Sequence, residues 1–311
     1  MKMGNQTVVT EFILLGLSQD ANTKVLLFLV VLFLYFVSLL GNIIIIFVAW
    51  VDHHLHNPMY FFLGNLSFLD ICYSSVTVPK MLSSLLTETS TISYVGCLTQ
   101  LYFYLSFCGT ECLLLSTMGF DRYVAVCNPL RYTIIMENRV CLQMTVCIWV
   151  TGFLTSIIHV IFAAQLSFCA SHVIRHFFCD IPPILKLACG DTFLNEILVL
   201  TVGGSIGLGS FLLTLVSYAH IISTILMIRS VDRRKKTFST CASHLTVVTL
   251  FFGSLSFMYM RPTSNYSMEQ DKMVSVFYAV MTPALNPIIY TLRNNEVKRA
   301  LKISWRRVWT K

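Results

Sequence analysis

VLLFLVVLFLYFVSLLGNIIIIFVAW, Val25 to Trp50, carries no Lys, Arg, Asp or Glu over its whole length. A helix of this length, rising about 1.5 Å per residue, outruns the roughly 30 Å hydrocarbon core of a bilayer. A stretch that is apolar all round finds no place on a soluble surface, so it reads as a membrane span. Six further apolar runs follow it: Pro58 to Leu86, Tyr94 to Val126, Val140 to Ala163, Leu194 to Ile228, Thr240 to Met260 and Met273 to Leu292. Short polar segments separate them. Seven crossings are expected, and those longer than the core must tilt or protrude.

The bulk composition agrees. Of 311 residues, 56% are hydrophobic and 12% charged, against about 25% charged in soluble folds. Mean hydropathy is +0.72. The net charge of +7 sits in the gaps between apolar runs, not on a stripe interleaved with aromatics, which argues against a nucleic-acid partner. The 11 cysteines are scattered without paired CxxC spacing, which argues against a zinc site. No basic leader with a cleavage site precedes Lys24, so the first run is expected to act as its own membrane signal. The chain lacks the internal repeats of many transporters, and a pair of midplane breaks is expected only at Pro283 and Pro287. Neither an HExxH pair nor a GxSxG turn is expected to mark it as an enzyme.

Lys and Arg set the orientation, because they accumulate on the cytoplasmic side. With the N-terminus outside, the inner segments hold Arg122, Arg131, Arg139, Arg229, Arg233, Arg234, Lys235, Lys236, Arg293 and the basic residues of the tail. The outer segments hold only Lys2, Lys24, Arg175, Lys186, Arg261 and Lys272, with Lys80 near the outer end of the second run. Asn5-Gln6-Thr7 then lies outside, and Asn5 is a candidate glycosylation site. The chain divides into an extracellular arm (1–24), the bundle (25–293) and a cytoplasmic tail (294–311).

Charged groups inside a span are costly, and each is a functional candidate. Asp70 stands about 18 Å above Pro58, and Glu111 about 16 Å above Arg122, on their own helices. Two carboxylates therefore reach one depth. Like charges there repel, and a shared cation such as sodium would relieve them; a pair of hydrogen-bonded polar anchors is the plainer alternative. Tyr104, Glu111 and Arg122 fall on one helical stripe, so all three face the bundle interior. Asp121-Arg122 closes the third run as either an interfacial anchor pair or a switch. Pro58 suits a helix start, and Pro287 frees the carbonyl of Pro283.

Several strings occur together: Gly41-Asn42; LHNPMYFFLGNLSFLD, Leu55 to Asp70; MGFDRYVAVC, Met118 to Cys127; KTFSTCASH, Lys236 to His244; and PALNPIIYTLRN, Pro283 to Asn294. From Gly41 to Asn294 the chain resembles the rhodopsin-like G-protein-coupled receptors, and within them the olfactory receptors. KTFSTCASH has little currency elsewhere. Gly119-Phe120 and the Phe-Phe-Gly at 251–253 depart from the family pattern, the latter replacing a common tyrosine hydroxyl. The resemblance implies an all-α membrane protein, a seven-transmembrane helix bundle with a short amphipathic helix after the seventh span.

Cys97, Cys169, Cys179 and Cys189 lie toward the oxidising side, and four cysteines allow three connectivities. The resemblance implies Cys97 with Cys179 and Cys169 with Cys189. Around Tyr104 the outward half of the third run's stripe adds Leu105, Cys108, Gly109 and Cys112 as a ligand pocket, which by resemblance His159, Val202, Gly203 and Ile206 join. Leu255, Ser256, Tyr259, Val276 and Ala279 would complete it. Such a mostly apolar wall suits a small volatile odorant. The seventh run has no lysine for a retinal Schiff base, and no carboxylate stands near Tyr104 to pair a cationic amine. The implied switch comprises Asp121, Arg122, Tyr123, Tyr218, His244, Asn286, Pro287 and Tyr290. A stimulatory, olfactory-type heterotrimeric G protein that raises cyclic AMP is the expected partner, and a non-odorant small molecule or lipid is the alternative ligand. Beyond sodium no cofactor is expected. In the tail, Val297, Leu301, Trp305 and Val308 face one way, and Lys298, Arg299, Lys302 and Arg306 the other, as in a helix lying on anionic plasma-membrane lipids.

Overall fold

The computed structural model describes residues 10–18, 20–51, 57–87, 89–168, 172–259, 268–293 and 299, apart from the side chains of Arg233, Lys236, Thr240, Tyr259, Met268, Glu269, Leu292 and Arg293. Asn5, Cys169 and the amphipathic tail other than Arg299 lie outside the described residues. Within them, seven helices are long and apolar enough to cross a membrane. The first four are Ala21–Val51, Pro58–Leu86, Tyr94–Cys127 and Asn138–Ala164. The fifth span is Phe193–Met227, the sixth helix is Val231–Tyr259, and the seventh runs through Met268–Val276, Phe277–Met281 and Thr282–Arg293.

Local chemistry fixes the helix starts. Asn57 caps the second span by accepting from Tyr60 N at 3.3 Å, with Pro58 in the first turn, where its missing N–H costs nothing. Ser93 caps the third by accepting from Gly96 N at 3.1 Å. The sixth helix begins earlier than expected, at Val231, so most of the basic Arg229–Lys236 segment is helix and not loop. Lys and Arg are good helix formers, and Asp232 in the first turn suits the helix dipole. Pro79 lies inside the second span, which stays helical from Pro58 to Leu86.

The third span is the hub, packing on the second, fourth, fifth and sixth. Its approach to the fourth needs glycine. A Cβ on Gly152 would meet Thr110 Oγ1 and stand 2.8 Å from the carbonyl oxygen of Ser106. Gly41 serves the first and seventh spans in the same way, since its Cβ would lie 2.8 Å from Pro287 Cγ. There the carbonyl of Pro283, without its helical donor, accepts from Asn42 Nδ2 at 3.0 Å. One buried amide thus answers the vacancy that a proline creates.

A small three-stranded sheet covers one end of the bundle. Strand β1 (Glu11–Leu14) pairs antiparallel with β2 (Ser90–Ser93) and parallel with β3 (Val173–Ile174). The expected polar arm therefore contributes a central strand, whose Phe12 and Leu14 are buried while Glu11 is exposed. Below it the Cys97–Cys179 disulfide ties the third span to the loop after the fourth. Cys189 is also disulfide-bonded. At the opposite, basic end lie Arg122, Arg131, Arg139, Arg229, Arg234 and Lys235.

Candidate functional site

Three interior regions follow one another from the sheet end to the basic end. Nearest the sheet is a cavity of about 430 Å³ between the third, fourth, fifth and sixth spans. Leu105, Cys108, Gly109 and Cys112 form its wall on the third span, as expected. His159 supplies the fourth span, Gly203 and Ile206 the fifth, and Leu255 and Ser256 the sixth. Ile181, heading a short helix whose N-cap is Asp180, also lines it.

Tyr104, Val202, Val276 and Ala279 do not line the described cavity. Tyr104 is fully buried beside it, donating to Tyr278 Oη at 2.7 Å with its ring 4.8 Å from that of Phe178. Val202 falls in a π-helical turn, Val199–Gly203, and Ala279 in another, Phe277–Met281. Each such turn holds an extra residue and swings its side chains off the α-helical register. Val276 immediately precedes the second of these turns and packs on the central core. The Tyr259 side chain is outside the described residues.

Thr155, Ser156, Val199, Thr201, Ser205 and Phe252 line the cavity unanticipated. Thr155 and Ser156 stand one helical turn before His159, a spacing that could have found them. The letters of residues 203–207, Gly-Gly-Ser-Ile-Gly, match the nucleophile turn of a hydrolase. Here they lie inside a helix and not at a strand-to-helix turn, and Ser205 Oγ donates to Val202 O at 2.9 Å. The match carries no chemistry.

The second region is a buried polar centre. Asn286 Nδ2 donates to both carboxylate oxygens of Asp70, at 3.1 and 3.0 Å. Glu111 is 3% exposed, and its Oε1 has no hydrogen-bond partner among the described residues. Tyr290, one turn below Asn286, is also buried, with its hydroxyl unpartnered among the described residues. Both carboxylates of the expected cation site are thus buried, and Glu111 has an oxygen without a partner among the described residues.

The third region lies at the basic end. Arg122 Nη2 stands 3.6 Å from Asp121 Oδ2. Tyr132, from the short helix Tyr132–Ile135, donates to Asp121 Oδ1 at 2.8 Å. This contact was not anticipated. His244 Nε2 donates to Leu115 O at 3.0 Å, which leaves Nδ1 to accept from Tyr218 Oη at 2.8 Å. The pair links the fifth and sixth spans and ties both to the third. Tyr123 packs against His220, ring centroids 5.6 Å apart.

The fold aligns with the crystal structure of squid rhodopsin at a TM-score of 0.71 and 16% identity, over 94% of this chain and 83% of that one. The likeness gives the fold, the seven-helix bundle of rhodopsin. Sequence comparison gives the family: the olfactory receptor model matches residues 31–306, and the chain belongs to the olfactory receptor family. It is 52% identical to olfactory receptor 5A2 of Homo sapiens over 96% of this chain and 92% of that protein. It is 50% identical to olfactory receptor-like protein OLF1 of Canis lupus familiaris, over 96% of each chain. Such a chain is a receptor and not an enzyme.

Proposed function

We propose that this chain is an odorant receptor of the plasma membrane, with the sheet end outside and the basic end in the cytosol. A small, mostly apolar volatile molecule occupies the cavity between the third, fourth, fifth and sixth spans. The observation that carries this reading is a cavity of about 430 Å³ whose described walls are mostly apolar, sharing the third span with the polar relay below. A ligand that fits the active arrangement better shifts the population toward it. The sixth span then swings outward, Arg122 leaves Asp121, and Tyr218 and Tyr290 turn into the opened interior. The unpartnered Tyr290 hydroxyl suits such a move.

The partner on this reading is a heterotrimeric G protein of the stimulatory, olfactory type, and the output is cyclic AMP. A cleft of about 550 Å³ at the basic end, lined by Ile225, Leu226, Arg234, Lys235 and Phe238, supports docking there. Sodium at Asp70 and Glu111 would favour the resting arrangement by neutralising two buried carboxylates. The arm carries a glycan on Asn5, and the tail after residue 294 lies on the inner leaflet.

The test is cyclic AMP in cells bearing the receptor and challenged with a broad odorant panel. Arg122→Ala is expected to reach the surface normally and lose the odorant-evoked signal. A full response from that variant overturns the proposed relay.

A further inference from the structure

Five polar side chains on the cavity wall, Thr155, Ser156, His159, Thr201 and Ser205, share one polarity. His159 Nδ1 lies 3.0 Å from the carbonyl oxygen of Thr155, which can only accept, so Nδ1 carries the proton. In the neutral ring Nε2 is then a bare lone pair. It stands toward the fifth span, 3.7 Å from where a Cβ on Gly203 would lie. Ser156 Oγ donates to Gly152 O at 2.8 Å, and Thr155 Oγ1 donates to Thr151 O at 2.8 Å. Thr201 Oγ1 donates to Ile197 O at 2.7 Å, and Ser205 Oγ to Val202 O at 2.9 Å.

Each of these hydroxyls spends its proton on its own helix, because an apolar surrounding offers nothing better. These five side chains, His159 included, offer a ligand only lone pairs. Ser256 alone among the wall hydroxyls makes no hydrogen bond among the described residues. An acceptor-only ligand, such as a ketone, aldehyde or ether, must find Ser256 or pull a proton off a backbone carbonyl. A ligand with an O–H donates to an acceptor already waiting.

Resting on the reading of this cavity as the ligand site, we infer that the receptor selects hydrogen-bond donors, small apolar alcohols and phenols, over carbonyl and ether odorants of the same shape. His159 is the principal specificity-determining acceptor, and the Thr155 and Ser156 oxygens are secondary ones. One net hydrogen bond corresponds to roughly a fivefold difference in affinity.

The experiment measures direct binding to the purified full-length receptor in lipid nanodiscs, so that no G protein is needed. Three matched sets serve as probes: octanol, octanal and octyl methyl ether; 2-phenylethanol, phenylacetaldehyde and phenethyl methyl ether; borneol, camphor and bornyl methyl ether. In each set that binds, the alcohol is expected to be about fivefold tighter than its partners. His159→Phe should shrink that ratio below about twofold while leaving ether affinity in place. Should that variant fail to fold, Ser156→Ala with Thr155→Val must still lower the ratio. Equal or tighter binding of the carbonyl or ether members overturns the inference, and so does the absence of binding by all three alcohols. Alcohol-selective binding with no cyclic AMP response would sink the proposed signalling role and leave the selectivity standing. Odorant-evoked cyclic AMP without alcohol preference would do the reverse.

Discussion

The two ends of the bundle are held in different ways. At the sheet end, the disulfide, three strands and the buried Phe177 and Phe178 leave little room for movement. Cys179 N donates to Gln100 Oε1 at 3.0 Å, and Gln100 Nε2 donates to Val76 O at 2.9 Å, so the loop is stitched to two spans. At the basic end, neither a disulfide nor a strand joins the spans among the described residues. Arg122 and Asp121 are sequence neighbours 3.6 Å apart, and the links between spans are hydrogen bonds alone: Tyr218 with His244 or Cys241 O, His244 with Leu115 O, and Cys127 Sγ with Thr224 Oγ1. A cavity is best kept preorganised, because ordering a loose site costs affinity. A switch must have two arrangements of similar free energy. The contrast places rigidity where a ligand is read and bistability where the message leaves.

Breaking the rigid end should have the largest effect. Cys97→Ser removes a bridge that closes a loop of 82 residues. The expected loss is about 2 to 5 kcal/mol of stability, seen as a large fall in melting temperature and surface expression. If the variant melts like the parent, the loop is held by packing alone and the contrast weakens.

A smaller effect tests the same end by acid. His176 is buried, and its Nδ1 accepts from Phe178 N at 3.4 Å, so Nε2 donates to Ser275 Oγ at 3.1 Å. Burial first, and then the charge of Lys272, push its imidazole down to about 3. The unfolded chain, with an ordinary value near 6.5, binds the proton more readily across that window. Stability is therefore full above about pH 6.5 and falls as pH drops toward 3, by about 2 kcal/mol at pH 5. Melting temperature against pH should show this limb, and His176→Gln should flatten it. A limb of equal slope in that variant would assign the acid sensitivity elsewhere.

How far each end could be read from sequence depends on its physics. The spans were legible because apolar length is a strong signal, and the Asn57-Pro58 start and the Pro283–Pro287 vacancy come from backbone chemistry. Strand β1 was hidden because it is four residues long and Phe12, Ile13 and Leu14 run together without the polar alternation of a half-buried strand. The cavity was half legible. On the third span its wall follows a regular helical period, so Leu105, Cys108, Gly109 and Cys112 fell into place. On the fifth and seventh spans π turns intervene. One extra residue there rotates the remainder of the helix by about 100°, and no composition signal announces it. Val202 and Ala279, expected from the resemblance, fall inside those turns and off the cavity wall, while Gly203 and Ile206 line it.

Tyr132 was missed for another reason, and it gives the smallest and sharpest test of the loose end. It lies outside the apolar runs, in the connection after the third span, where sequence gives no register. Its hydroxyl fixes one oxygen of Asp121 at 2.8 Å while the other faces Arg122 at 3.6 Å. If this donor positions the carboxylate for the arginine only in the resting arrangement, Tyr132→Phe should penalise that arrangement alone. A hydrogen bond to a charged group is worth about 1.5 to 3 kcal/mol, and the part surviving at a half-buried site should raise basal cyclic AMP about threefold to tenfold at matched surface expression. Melting temperature should barely move, because phenylalanine keeps the ring that packs against the core and removes only the hydroxyl. A variant that melts lower and signals no more would show Tyr132 to be a structural strut. The basic end would then owe its looseness to something other than the hold of Asp121 on Arg122.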